Sequence, residues 1–140
     1  MTPTFQAFVP GTPRPQGSKR HVGGGRMIES SKYVKAWRTK VSQISKHVHR
    51  GRPLEGPIRL EVEFIMPRTK AMRDKPSPPM IQSPDTDKCV RAISDALSGI
   101  VFVDDRQITT IIAGKRRANP GELAGAKIRI SNDEHAGHVL

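Results

Sequence analysis

The chain has one cysteine, few aromatic residues and no long hydrophobic run, and each shortage excludes a class of protein. Cys89 alone cannot form an internal disulfide or a thiolate cluster for a structural metal. Aromatic residues make up 4% of the chain, which leaves little for base-stacking platforms. No apolar stretch approaches the roughly 20 residues of a membrane span, and the N-terminus lacks the charged and then apolar order of a signal peptide. We therefore expect a cytoplasmic protein without a membrane segment.

Positive charge is abundant. Lysine and arginine total 24 against 13 aspartate and glutamate, a net charge of +11 in 140 residues. So large a surplus favours a polyanionic partner, with nucleic acid as the first candidate and a merely soluble basic protein as the alternative. The length suits a single domain, 1–140, with one hydrophobic core.

Hydrophobic periodicity predicts a mixed α/β (α+β) domain with two main helices and one mixed β-sheet, in the order βαβαββ. The first helix carries its apolar residues at alternating three- and four-residue spacing, and the clearest strand alternates Ile58, Leu60 and Val62 with charged residues. The predicted strands lie at about 5–9, 58–66, 107–115 and 126–130, and the predicted helices run from Ser30 or Ser31 to 48 and from 88 to 98, the second with Asp87 as N-cap.

Three segments are predicted to lack regular structure. Residues 10–28 are basic and rich in proline and glycine, which predicts a flexible loop. Residues 67–84 contain five prolines and are expected to form a surface loop, and residues 132–140 a disordered tail.

A compact acidic island interrupts the basic chain. Between Asp85 and Asp105 there are five aspartates and two basic residues, whereas residues 14–52 contain eleven basic residues and one acid. Asp85 and Asp87 are two residues apart, so extended geometry would point both carboxylates to one side. If the segment 101–103 pairs beside the strand leading into the second helix, Asp104 and Asp105 join them. Three converging carboxylates would repel unless Mg²⁺ or Mn²⁺ intervened. The alternative is that Asp87 caps a helix, Asp104 and Asp105 form a turn and Asp85 is a solvated loop acid.

The same stretch carries a family resemblance. It contains, in order, Pro84-Asp-Thr-Asp87, Arg91, Asp95-Ala-Leu97, Val101-Phe-Val-Asp-Asp105 and Gln107. This run resembles the pattern PDxDN, Lys or Arg, DAL and VxxDDxQV of the RusA family of Holliday junction resolvases. The match covers some 25 residues strongly, and the remainder in length, basicity and element order. The resemblance implies a homodimeric, Mg²⁺-dependent endonuclease that nicks two opposed strands of a four-way DNA junction, of a kind typical of phages and prophages.

Carried over residue by residue, the resemblance implies that Asp85, Asp87 and Asp105 are the metal-site acids, with Asp104 their neighbour. Arg91 matches a family lysine that assists catalysis, and Lys88 stands where the family has asparagine. Either basic side chain is thus a candidate for contact with the scissile phosphate.

Other basic residues are predicted to contact the DNA backbone rather than to bind a nucleotide. The segment 11–19 superficially resembles a phosphate-binding loop, but the glycine spacing is wrong and two prolines remove amide donors. The predicted DNA-contacting side chains are Arg14, Lys19, Arg20, Arg26, Lys88, Lys115, Arg116 and Arg117.

The sequence thus predicts a junction-resolving endonuclease acting in recombination or repair. Two alternatives remain open: a non-catalytic phage DNA-binding protein whose aspartates merely cap and turn, and a nuclease for branched or flap DNA generally.

Overall fold

The computed structural model describes residues 4–17 and 24–138, apart from the side chains of residues 24–31. Its elements follow the predicted order βαβαββ, which confirms the mixed fold class. They are β1 (Phe5–Pro10), α1 (Gly24–Val48), β2 (Ile58–Met66), α2 (Thr86–Leu97), β3 (Ile108–Arg117) and β4 (Gly125–Asn132).

The four strands form one mixed sheet in the order β1-β4-β2-β3. β4 pairs antiparallel with both β1 and β2, whereas β3 pairs parallel with β2. A parallel neighbour requires a crossover, and α2 lies in the crossover between β2 and β3. β3 is therefore an edge strand reached through the helix that begins beside the acidic island.

One face of the sheet is covered by the helices and forms the core. In β2 the side chains of Ile58, Leu60, Val62 and Phe64 are buried, as the alternation predicts, while Glu61 and Glu63 lie on the opposite, open face. α1 packs against β1 and α2, and α2 packs against β3. α1 buries Trp37 and Val41, and α2 buries Cys89, Val90, Ala92, Ile93, Ser94, Ala96 and Leu97.

The structure corrects the start of the first helix. α1 begins at Gly24, not at Ser30 or Ser31, so residues 24–28 belong to a helix and not to the predicted loop. Adding residues to an existing helix is far less costly than nucleating one, so the weak helical propensity of glycine does not stop the extension. Residues 18–23 lie outside the described residues.

The proline-rich segment 67–84 forms no strand or α-helix, only a short 3₁₀ turn at Lys70–Met72. Its path is fixed by Arg68, whose guanidinium donates to the carbonyls of Lys75 and Ala118 at 2.6 and 2.9 Å. The segment lacks regular secondary structure, as predicted, but hydrogen bonds attach it to the end of β3.

The end of the chain is more ordered than predicted. Asn132 is the last residue of β4, and Asp133 is buried, its carboxylate accepting hydrogen bonds from the hydroxyls of Thr109 and Thr110, both at 2.6 Å. The predicted disordered tail is therefore wrong at its beginning, because these hydrogen bonds attach residue 133 to the sheet. No helix among the described residues has the length and apolar character needed to span a bilayer.

Candidate active site

Asp85 and Asp87 lie at the start of α2, exposed to solvent. The predicted cap is off by two residues: Asp85 occupies the N-cap position, although its side chain makes no capping hydrogen bond, and Asp87 lies inside the first turn. The partial positive charge of the helix N-terminus favours carboxylates there. Lys88 Nζ is 3.4 Å from Asp85 Oδ2, a pair exposed enough to exchange for another partner.

The loop that carries Asp85 is held by Lys115 of β3. The Lys115 ammonium donates to the carbonyl oxygens of Gln82 at 2.6 Å and Pro84 at 2.8 Å, immediately before Asp85. Charge-assisted hydrogen bonds of this kind are stronger than neutral ones. In the structure Lys115 thus holds the loop before Asp85, and its predicted contact with DNA stays a prediction.

The pKa of Cys89, a buried residue of the first turns of α2, depends on the charged residues near the start of this helix. Burial raises the pKa of its thiol to about 11, the charge of Lys115 opposes the shift, and the charges of Asp85 and Asp87 add to it. The thiol is therefore an inert core group, and both carboxylates and Lys115 lie within electrostatic reach of it.

Asp104 and Asp105 form a second acidic pair, in the turn before β3, with distinct roles. Asp104 caps the turn: its carboxylate accepts from the amide of Arg106 at 2.9 Å, and the Gln107 side chain accepts from the amide of Asp104 at 2.8 Å. The hydrogen bond from the Arg106 amide and then one shared with Asp105 lower the pKa of Asp104. The pKa of Asp105 is raised, first by that shared hydrogen bond and also by the charges of Asp104 and Asp95.

The two acidic pairs do not meet within one chain. Among residues 4–17 and 24–138, no three carboxylate, histidine or cysteine side chains converge closely enough to hold one ion. The expected convergence required residues 101–103 to pair beside a strand leading into α2. Instead an irregular loop precedes α2, and Phe102 forms only isolated bridges to Leu54 and Ser98. Asp105 therefore lies near Asp95, toward the other end of α2.

Several basic residues lie on α2 and on the segment that contacts its first turn. Arg91 is exposed one turn after Asp87, and the Arg14 guanidinium lies 4.8 Å from the centre of the Tyr33 ring. The backbone of the basic segment reaches α2, because the amide of Gln16 donates to the Lys88 carbonyl at 3.0 Å. Arg38 of α1 donates to the Gln16 side chain at 2.8 Å. Of the other predicted DNA contacts in this segment, Lys19, Arg20 and the Arg26 side chain lie outside the described residues.

At the end of β3, Arg116 and Arg117 of the predicted basic cluster form contacts within the protein. Arg116 pairs with Glu122 at 2.6 Å and with Glu63 at 3.1 Å, and Arg117 donates to the Pro67 carbonyl at 2.8 Å. Their contacts anchor the loops that leave β2 and β3. DNA contact by these residues stays a prediction.

Sequence reasoning missed three residues that shape the site: Gln16, Arg38 and Gln107. A glutamine three residues after Asp104 is the signature of a capping box, and this signal was present in the sequence. The Gln107 amide also donates to the carbonyls of Leu54 and Gly56, at 2.8 and 3.0 Å, and thereby anchors the turn. Arg38 and Gln16 meet only through the tertiary fold, so no local pattern indicates them.

A scan against protein-family models matches residues 9–131 to the family Endodeoxyribonuclease RusA. The chain belongs to the RusA endodeoxyribonuclease family. The match extends well beyond the acidic motif and covers β2, β3, both helices, most of β4 and the last two residues of β1. A search of functionally curated proteins finds no match. The resemblance predicted from residues 84–107 is thus confirmed at the level of the family, and with it a nuclease.

Proposed function

We propose that this RusA-family chain is a Mg²⁺-dependent endonuclease that resolves four-way DNA junctions by paired symmetric nicks in recombination or repair, encoded by a phage or prophage. The observation that carries the proposal is the pair of exposed carboxylates, Asp85 and Asp87, at a helix N-terminus. They follow directly after a loop that Lys115 holds in place, in a chain of net charge +11. Clustered carboxylates repel phosphate, so this placement suits DNA only when a cation accompanies them.

Asp85 and Asp87 are the residues that would hold the metal ion, and carboxylate oxygens are the ligands that Mg²⁺ and Mn²⁺ prefer. Asp105 is the third candidate ligand, with Asp104 beside it. When bound, such an ion would activate water and neutralise charge on the scissile phosphate. Among the described residues of one chain, Asp105 does not join the other two in a group of three ligands.

The basic side chains near the acids would bind and orient the DNA. Arg91 projects from the same exposed helix face as Asp87 and is the candidate for the scissile phosphate, with Lys88 as the alternative. Arg14, together with Lys19, Arg20 and Arg26, would contact the backbone on either side. Backbone contacts recognise position and shape more than base sequence, which suits a branched substrate. A two-fold junction cut twice calls for two active sites and hence for a homodimer.

Exchange of Asp87 for asparagine tests the catalytic proposal. Asp87→Asn removes one negative ligand and should reduce Mg²⁺-dependent junction cleavage more than about 100-fold, since losing even outer-sphere support costs 10–100-fold. Binding of a labelled four-way junction should be retained or strengthened, because a repulsive charge is lost. Asp74→Asn is the matched control, an exposed aspartate in the proline-rich loop, and should cleave like the wild type.

The assay also separates the other functions. A protein that shifts the junction but leaves every strand whole, with or without Mg²⁺, is a non-catalytic binder. Equal cleavage of flap, junction and duplex would indicate a general branched-DNA nuclease. Equal cleavage by Asp87→Asn and wild type would refute the proposed role of the acidic pair.

A further inference from the structure

The outer face of α1 carries a row of exposed polar side chains. Five exposed residues recur at spacings of three and four along the helix, so they lie in one row on the side away from the core. They are Lys32, Lys35, Thr39, Gln43 and Lys46. The buried residues Trp37, Val41 and Ser45 occupy the opposite side of the helix. From residue 32 to residue 46 the row extends roughly 21 Å at 1.5 Å per residue.

The positive charge of this row has no acidic neighbours to balance it. Residues 30–54 contain seven basic residues and no aspartate or glutamate. Six lysine and arginine side chains elsewhere in the described part of the chain form ion pairs with carboxylates, and none of those pairs includes a residue of α1. Like charges on neighbouring turns repel each other. A bound polyanion would remove this repulsion, so the row is suited to an anionic partner.

α1 and α2 lie side by side over the sheet with their N-termini at the same end. The Arg38 guanidinium donates to the Gln16 side chain at 2.8 Å, and the Gln16 amide donates to the Lys88 carbonyl at 3.0 Å. Farther along, the Ser42 hydroxyl donates to the Ala96 carbonyl at 2.8 Å. The row on α1 therefore runs alongside α2, from the first turns of α2 toward its last turn.

The C-terminal end of the row opens into a hollow beside the end of α2. This surface hollow has a volume of about 620 Å³, and its lining includes three basic or histidine side chains, a glutamine and a glycine. These residues are Lys46, His47, Arg50, Gln43 and Gly99. Such side chains donate hydrogen bonds and supply positive charge, which are the groups that contact phosphate oxygens.

We propose that the outer face of α1 binds one duplex arm of the DNA substrate through its phosphates. The inference rests on the proposed function for the branched substrate, and the surface lies outside the acidic site. The exposed residues of α2 are Asp87, Arg91 and Asp95, two acids around one base. Beyond the acidic pair, α2 thus offers a DNA backbone little attraction, whereas the neighbouring row on α1 attracts it along its whole length. That length corresponds to about six base pairs at 3.4 Å each.

The salt dependence of junction binding tests the proposal. Lys35→Gln with Lys46→Gln removes two phosphate contacts, so the slope of log affinity against log salt should become shallower by about 1.8 per bound chain. At 0.1 M salt this corresponds to about 60-fold weaker binding, if both proteins bind alike at 1 M. Binding would be measured with a labelled four-way junction in Ca²⁺. Single-turnover cleavage by saturating protein should stay within about twofold of wild type, because the lysines bind substrate without touching the reacting groups.

Two variants serve as controls. Lys127→Gln with Arg129→Gln removes the same charge from two exposed residues on the open face of the sheet, and should change the slope by less than about 0.5. Lys35→Arg with Lys46→Arg keeps the charge of the row and should retain the wild-type slope.

Hydroxyl-radical footprinting of the junction locates the contact. The wild type should protect the cut position and about six neighbouring nucleotides of one arm. The variant with glutamine at residues 35 and 46 should lose the protection along the arm and keep it at the cut position.

An unchanged slope and footprint in the glutamine variant overturns the proposal, as does an equal loss in the control on the open face. Loss of the arm footprint in a protein that binds the junction and never cleaves it supports the surface on α1 and refutes the proposed resolvase function instead.

Discussion

Exchange of Lys115 for methionine should separate cleavage from DNA binding. The ammonium makes two hydrogen bonds, 2.6 and 2.8 Å, to the carbonyls just before Asp85. Hydrogen bonds to charged groups contribute about 1.5–3 kcal/mol when shielded from water. Lys115 is half-buried, so we take about 2 kcal/mol for the pair together. That free energy corresponds to a loss of up to about 30-fold in the population that holds Asp85 in its cleaving position.

The expected result is therefore a fall in junction cleavage of about 10- to 30-fold, with a higher Mg²⁺ concentration needed for half-maximal rate. Junction affinity should change by less than about threefold, the effect of one lost positive charge. Lys127→Met is the matched control, because it removes the same charge from an exposed lysine on the open face of the sheet. Rates would be measured in single turnover over a Mg²⁺ titration, and binding by gel shift in Ca²⁺. Equal loss of binding and cleavage in Lys115→Met, or the same profile in Lys127→Met, would refute the positioning role.

Two further predictions concern pKa values. The Cys89 thiol, buried and with a pKa raised to about 11, should react with a disulfide reagent at pH 8 at least about 100-fold more slowly than the unfolded chain; equal rates would contradict its burial. The pKa of Asp133 is lowered, mainly by the hydroxyl of Thr109 and then by that of Thr110. The ionised carboxylate of Asp133 therefore stabilises the fold above the ordinary carboxyl pKa, and this contribution is lost as the pH falls through and below that pKa. In urea unfolding, Asp133→Asn should therefore be less stable than wild type at neutral pH and differ least near pH 3; a constant difference at all pH values would show that the carboxylate charge is not involved.

The order of elements could be predicted because it follows from local periodicity. The alternation in β2 and the helical spacing in α2 arise from one buried face each, and both elements occur close to their predicted bounds. The start of α1 could not be predicted, because glycine disfavours a helix, and the glycines at the start of α1 are helical only as an extension of the helix that follows them. The ordered residue 133 was missed because its hydrogen bonds go to Thr109 and Thr110, distant in sequence.

The candidate site was predictable in its residue types but not in its assembly. Two carboxylates two residues apart at a helix start are a local feature, and the structure places Asp85 and Asp87 at the start of α2. Whether Asp105 joins them depends on the order of the strands in the sheet and on which strand precedes α2. A local sequence pattern indicates neither. The clamp by Lys115 likewise depends on β3 lying beside α2. The basic end of β3 was recognised in the sequence, but its contacts within the protein were not, because net charge does not reveal a partner; its contact with DNA stays a prediction.

The most direct measurement of the central claim maps cleavage positions on a synthetic four-way junction, each strand labelled in turn, in Mg²⁺ and in EDTA. A Mg²⁺-dependent resolvase would nick two opposed strands at symmetric positions, in Mg²⁺ only, and the nicks would be lost in Asp87→Asn but not in Asp74→Asn. Strands that stay whole in Mg²⁺ while the protein binds the junction, or nicks that persist in EDTA, would contradict the proposed function.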